Sequence, residues 1–322
     1  MKISIQLNGV HKLDSQLINQ VTLIINIIRQ RLDGLDVDES QRLFHGRGKC
    51  YVLADHFNVE KYGTLLAIVF YSDRDETIWI EALKNVCDET GYQFAVQRRW
   101  QIKSPWMFFD EDPVEGFWVK ESGASYWLNF NSQNPGLFLD MRNGRDWLKR
   151  HSRNAKVANL FSYTCGFSVA ASLGGAVETI NIDMSRPALR QGQANLKQNL
   201  SAAKNRFLAH DISKSLGKIS KLGPYDIVVI DPPTQQRSFN PVGQYNRLLN
   251  RCAGWVVEGG WLMLTLNDPV ITVTEFLNQA NSILGAHFSY ERRIENPVEI
   301  EETDPDKGLK VVLFRRTGIA AE

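Results

Sequence analysis

The sequence predicts an α/β protein: a doubly wound, mostly parallel sheet with an antiparallel edge strand, preceded by a small α+β domain. Three observations predict it. From residue 157 onward, short apolar runs alternate regularly with helical periodicity, the signature of repeated β-α units. The runs at 226–230 and 261–266 are apolar throughout or nearly so, as expected of strands covered on both faces. The last two runs, 288–291 and 309–315, have only an acidic loop between them, so they pair antiparallel at the sheet edge. A length of 322 residues suits about two domains, divided here into residues 1–135 and 136–322.

The elements read in order as follows. Ile3, Ile5 and Leu7 alternate and predict a short strand. Leu13 through Leu32 recur at helical spacing, and Gly34 ends that helix. Residues 41–50 read as a basic loop punctuated by glycine. Residues 65–71 read as a strand, 76–90 as a helix and 92–96 as a strand. Residues 117–120 and 126–130 form a strand pair around the turn Ser122-Gly123-Ala124. In the second domain, strands at 157–161, 177–182, 206–209, 226–230 and 261–266 alternate with helices at 167–173, 186–199, 212–221, 245–257 and 274–284.

Composition narrows the function. Hydrophobic residues make up 43% and charged residues 23%, too apolar for a disordered chain. No apolar run approaches the ~18 residues of a membrane span. No basic and apolar leader follows Met1, so a cytoplasmic protein is expected. The net charge of +1 excludes a polybasic arm but not a local cationic patch able to meet a few phosphates. The four cysteines make no CxxC pair and the six histidines no HxH or HExxH, so no metal site is expected.

In a doubly wound sheet, ligands sit beyond the carboxyl ends of the strands. The first strand of the second domain ends in Phe161-Ser162-Tyr163-Thr164-Cys165-Gly166, a turn into a helix N-terminus. The second ends in Asp183-Met184-Ser185, an acidic residue placed to accept both ribose hydroxyls. The third ends at Asp211-Ile212 and the fourth in Asp231-Pro232-Pro233-Thr234. Each Asp alone could be a helix cap; together they outline a ligand site. Dinucleotides want G-x-G-x-x-G, and only Gly166 is available here. A ligand with ribose and adenine but no pyrophosphate fits better, and S-adenosyl-L-methionine (SAM) is one.

The segment 157–200 and Asp231-Pro232-Pro233-Thr234 resemble the Rossmann-like class I SAM-dependent methyltransferases. Asn159 through Thr164, Asp183-Met184-Ser185, Asp231 through Thr234 and Gly136 through Arg142 are closer to the bacterial large-subunit ribosomal RNA methyltransferases, and within them to the guanine-N7 members. The resemblance covers about residues 40–316. It implies SAM as cofactor, with S-adenosylhomocysteine (SAH) as product. It places Phe161, Ser162, Tyr163, Thr164 and Gly166 at the methionine end, Asp183 with Met184 and Ser185 at the ribose, and Asp211 with Ile212 at the adenine. Asp140 and Arg142 would close the pocket from the linker side, and Asp231, Pro232, Pro233 and Thr234 would meet the acceptor. Residues from Arg42 to beyond Tyr71 are similar to that family's substrate-binding domain.

Two departures bear on mechanism. Cys165 stands where the family usually has a second glycine. The cytosine-C5 members carry a nucleophilic Cys after the fifth strand, where this chain has Leu264-Thr265-Leu266-Asn267-Asp268-Pro269. A thiolate route to carbon is therefore not expected, and Asn267 becomes a candidate substrate contact. A base nitrogen, with guanine favoured, is the expected acceptor. Amine methyltransferases usually follow the two prolines with an aromatic, and Thr234 stands there instead. RNA contact is expected from Arg47 and Lys49, from Arg98 and Arg99 beside Trp100, and from the basic run 142–156. The alternatives are a protein or small-molecule acceptor, or a non-catalytic RNA-binding assembly factor on the same fold. The sequence leaves a homodimer open.

Overall fold

The computed structural model describes residues 15–109, 114–233 and 241–318. The expected strand at 3–7 and Thr234 lie outside them. The first domain opens with α1 (Ser15–Asp33), followed by β1 (Gln41–His45), β2 (Phe57–Tyr62), β3 (Leu65–Phe70), α2 (Thr77–Thr90), β4 (Gln93–Arg98) and β5 (Trp106–Phe109). The strands form one sheet in sequence order, antiparallel except for the β3–β4 pair. Helices α1 and α2 cover one face, burying Val21, Ile24, Ile28 and Leu83 against Ile68, Phe70 and Phe94.

The sequence reading of 41–50 as a loop is corrected here: residues 41–45 are a strand. Its polar side chains are buried but partnered, which hides the alternation. Arg42 donates to Glu60 Oε1 through Nε (3.1 Å) and Nη2 (2.6 Å). Lys61 is also buried, its ammonium donating to the carbonyls of Asp36, Val37 and Glu39 at 2.6–3.0 Å. Burial lowers its pKa to about 8 despite the nearby acids.

The hairpin β6 (Gly116–Glu121) and β7 (Ala124–Asn129) follows, then α3 (Arg142–His151). The second domain continues through β8 (Lys156–Leu160), α4 (Gly166–Leu173), β9 (Glu178–Asp183), α5 (Arg186–Gln198), β10 (Lys204–Ala209), α6 (Leu216–Leu222), β11 (Tyr225–Ile230), α7 (Pro241–Cys252), β12 (Val256–Leu266), α8 (Val273–Leu284), β13 (Phe288–Arg293) and β14 (Lys310–Arg316). Its seven-stranded sheet has the order β10-β9-β8-β11-β12-β14-β13. β14 alone runs against the direction of the other six strands, and it inserts between β12 and β13. The helix expected over 245–257 stops at Cys252, because Val256 already pairs with Tyr225 in the sheet. The helix expected over 212–221 is split into a short 3-10 turn, Ile212–Lys214, and α6.

The two domains share a core. The face of the first sheet opposite α1 and α2 presents Tyr62, Leu65, Ala67 and Val69 to the same cluster as Cys165, Val169 and Leu189 of the second domain. The β6–β7 hairpin lies between them. Its outer backbone edge is closed by amide side chains on successive turns of α5 and at its C-cap, Asn199. Asn199 bonds both the N–H and the C=O of Ser125, Asn195 accepts from Trp127 N (2.8 Å), and Gln191 donates to Trp127 O (2.6 Å). Side-chain amides thus do for this edge what a neighbouring strand would do. The acidic segment after β13 is held to the first domain by Arg31–Glu301 (2.8 Å) and His45–Glu302 (3.1 Å).

Candidate active site

Strand order reverses at β8: β9 and β10 extend to one side, β11 and β12 to the other. The connections that leave the carboxyl ends of β8 and β11 therefore run to opposite sides, leaving a crevice at that point. A cavity of about 660 Å³ occupies it. Its walls include Phe161 through Thr164, Gly166, Asp183 through Ser185, Asp211, Ile212, Asp231 through Pro233 and Asn267. All of these were expected from the sequence. Phe138, Asp140, Arg145 and Arg247 also line the cavity.

The turn after β8 is the most constrained backbone of the site. Phe161, Tyr163 and Cys165 all hold positive φ (60°, 47° and 61°). For non-glycine residues this conformation costs roughly 1–2 kcal/mol each, so surrounding structure must impose it. The imposing contacts are visible. Asp183 Oδ2 accepts from Tyr163 N (2.9 Å), the Thr164 hydroxyl donates to Gly136 O (2.5 Å), and Asn195 Nδ2 donates to Thr164 O (3.1 Å). Cys165 is fully buried, and burial pushes its thiol pKa far up, so it is an inert packing group. Gly192 on α5 makes its room: a Cβ there would fall 2.3 Å from Cys165 Sγ. The position where the family usually has a glycine thus carries a side chain because a facing helix gives up its own.

Asp183 is oriented by neutral donors. Its second oxygen accepts from Ser185 N (2.7 Å), and Ser185 in turn caps α5 by accepting from Ala188 N. A carboxylate offers about four lone-pair sites. Two are used here, leaving one on each oxygen for a pair of vicinal hydroxyls. Asp211 caps the turn that follows it, Oδ1 accepting from Ser213 N (2.9 Å) and Oγ (2.7 Å). Those bonds hold its pKa below the ordinary value. It also borders the cavity, so the capping and the ligand readings both apply to it.

Asp231 sits at the other end of the cavity. Its Oδ1 accepts from the Thr265 hydroxyl. Burial pushes its pKa up to about 6; the Thr265 bond opposes the rise and the charge of Asp140 adds to it. It is a carboxyl whose charge changes close to neutrality, at a cavity wall beside two prolines.

Arg142, expected to close the pocket from the linker side, is not among the cavity walls; Glu299 (2.7 Å) and Gln41 (2.8 Å) hold its guanidinium. One helical turn along, Arg145 lines the cavity. Arg145 forms a bidentate pair with buried Glu121 (2.6 Å for both bonds) and donates to Phe138 O (2.8 Å). No spacing rule separates two arginines three residues apart on one helix; the partner Glu121, on β6, is what selects Arg145.

The basic run 142–156 is largely consumed in internal pairs. Besides Arg142 and Arg145, Lys149 donates to Ser122 O and Lys156 pairs with Glu178 (3.4 Å). Arg150 and Arg153 stay exposed. Arg47, Lys49, Arg98 and Arg99 lie outside the cavity walls. Arg47 stacks over Tyr71 (4.3 Å), and Arg98 pairs with Glu76 (2.7 Å). Arg99 donates to Asn134 Oδ1 (2.7 Å), and Asn134 does line the cavity. Exposed Arg247 on α7 borders the cavity and was not foreseen. Among the described residues, no group of three or more His, Cys, Asp or Glu could hold a metal ion, and no helix is long and apolar enough to cross a membrane.

A seven-stranded sheet of this order, with an oriented acidic residue after its second parallel strand and Asp-Pro-Pro after its fourth, defines a methyltransferase of the SAM-dependent class. The family model for S-adenosylmethionine-dependent methyltransferases matches residues 41–315, and the chain belongs to that family. It is 31% identical over 199 residues to the ribosomal RNA large subunit methyltransferase K/L of Psychrobacter sp. (strain PRwf-1), covering 56% of this chain and 24% of that one. It is 32% identical over 148 residues to the ribosomal RNA large subunit methyltransferase I of Aeromonas salmonicida (strain A449), covering 45% and 36%. This chain thus spans well under half the length of these relatives. A putative SAM-dependent methyltransferase from Streptococcus mutans has the same fold, with a TM-score of 0.83 at 22% identity over 95% of this chain and 83% of that one. A putative methyltransferase solved with SAH superposes at 0.81, with 23% identity, over 92% and 81%.

Proposed function

We propose that the protein methylates a base nitrogen of ribosomal RNA, with guanine favoured, using SAM as donor. The observation that carries this is the single cavity wall running from Asp183 to Asp231-Pro232-Pro233. The matched relatives named as ribosomal RNA methyltransferases supply the RNA class.

The residues fit the cofactor. The amides and hydroxyl of the turn 161–166 would face the methionine end, the free lone pairs of Asp183 the ribose, and Asp211 with Ile212 the adenine. When bound, SAM supplies an electrophilic sulfonium methyl. The protein's task is then to hold the acceptor in line and exclude water, where proximity does most of the work. Pro232 and Pro233 give the acceptor wall a fixed backbone with no N–H to compete for the base. A ring nitrogen with a free lone pair needs no more.

Asp231 favours a second reading of the same site. A carboxyl with a pKa of about 6 is matched to accepting a proton near neutrality. A nitrogen that carries a hydrogen, such as an amine, would use that capacity. Because Gly192 accommodates Cys165, that departure from the family pattern does not argue for a non-catalytic site. The reading needs no second copy of the chain, because one chain supplies the walls described. It places the enzyme in the cytoplasm with rRNA as partner.

The test is nucleoside mass spectrometry of rRNA from cells with and without the gene. Loss of one methylated guanosine supports the proposal. Unchanged spectra overturn it.

A further inference from the structure

Methyl transfer to a base requires the base to leave its stack and be held flat against something. The usual position for that surface, after the two prolines, is Thr234 here, which has no ring. We propose that Phe138, from the segment before α3, is the platform on which the acceptor base stacks. This rests on the RNA methyltransfer reading above.

Four observations point to it. First, Phe138 lines the cavity and is 44% exposed, whereas the neighbouring wall aromatic Phe167 is buried. An open apolar ring inside a recess calls for a flat partner. Second, one side of the ring is backed by Tyr163, with centroids 5.5 Å apart and planes tilted by 44°. Tyr163 is itself fixed, its hydroxyl donating to Asn134 O (2.8 Å). Third, the Phe138 backbone is clamped. Its carbonyl accepts from Arg145, which the buried bidentate pair with Glu121 holds in place. Fourth, Asp140 follows two residues later and lines the same cavity as Tyr163 and Asp231. The segment therefore borders a cavity that holds both the donor turn and the acceptor wall. Arg145 becomes a positioning residue, acting on the base through Phe138.

Phe138→Leu keeps an apolar side chain but removes the stacking face; Phe138→Trp keeps a face. Two readouts separate acceptor from donor: SAH affinity by calorimetry, and steady-state methylation of rRNA purified from cells lacking the gene. The expected result is a fall of roughly 5- to 150-fold in kcat/KM for RNA in Phe138→Leu, the range of one lost base stack. SAH affinity should stay at the wild-type value, and Phe138→Trp should recover most of the activity. Unchanged kcat/KM in Phe138→Leu overturns the proposal. So does a loss of SAH affinity in step with turnover, which would place the ring against the donor. A wild-type protein that binds SAH but methylates no rRNA removes the RNA reading itself, and the platform with it.

Discussion

The packing seams of the molecule and the tips of its seven-stranded sheet use carboxylates in opposite ways. Away from the cavity, buried carboxylates meet cations: Glu60 with Arg42, Glu121 with Arg145, Glu299 with Arg142. At the sheet tips of the second domain, Asp183 and Asp231 are held by neutral donors, backbone amides for one and a hydroxyl for the other. A carboxylate saturated by a guanidinium has little left for a ligand. One oriented by amides keeps lone pairs and charge free. Charged partners here mark structure, and neutral partners mark the candidate site.

The largest expected effect is at Asp231. Asp231→Asn should lower methyl transfer by roughly 10²- to 10⁴-fold if the carboxylate takes a proton from the acceptor. Wild-type kcat should fall as pH drops through about 6, where Asp231 protonates, and the variant should lose that limb. The stability effect has the opposite sense. Because the folded pKa is raised, the fold binds this proton more tightly than the unfolded chain does. Asp231's contribution to stability is therefore greatest below the ordinary Asp range and is lost as pH rises to about 6. At pH 7 the Asn variant should unfold at higher denaturant. A stable variant with undiminished kcat would leave a ring nitrogen as the simpler acceptor.

Next comes the structural carboxylate. Glu121→Ala leaves Arg145 buried without its partner, at a cost of about 3–5 kcal/mol in urea or thermal unfolding. Turnover on RNA should fall further than the folded fraction does, because the clamp on the Phe138 carbonyl loosens with Arg145. The smallest effect is expected at Cys165→Gly. The substitution relieves a left-handed residue but empties the space that Gly192 provides, so the two contributions oppose each other. Stability should move by no more than about 1 kcal/mol, with SAH binding retained.

The same contrast explains what the sequence made legible. In the second domain, β9 and β11 carry apolar runs that end in Asp183 and Asp231, so both the strand and its tip could be read. The strands β1 and β2 could not. Arg42, Asn58, Glu60 and Lys61 are all buried, and their polarity breaks the alternation that signals a strand. Only three-dimensional pairing makes such residues tolerable inside. At the site, residues contiguous with strand ends were legible. Arg145, Arg247 and Phe138 were not, because their place depends on packing between elements distant in sequence. Arg142 looked the better cation until Glu299 and Gln41 claimed it.

SAM binding at this cavity requires Asp183 to be free to grip a ribose. Calorimetric titration with SAH, for wild type and for Asp183→Ala, addresses that directly. Wild type should bind, and the variant should lose two charge-assisted hydrogen bonds of ~1.5–3 kcal/mol each, enough to remove measurable heat. Equal affinity in the two proteins, or no heat in wild type, would contradict it.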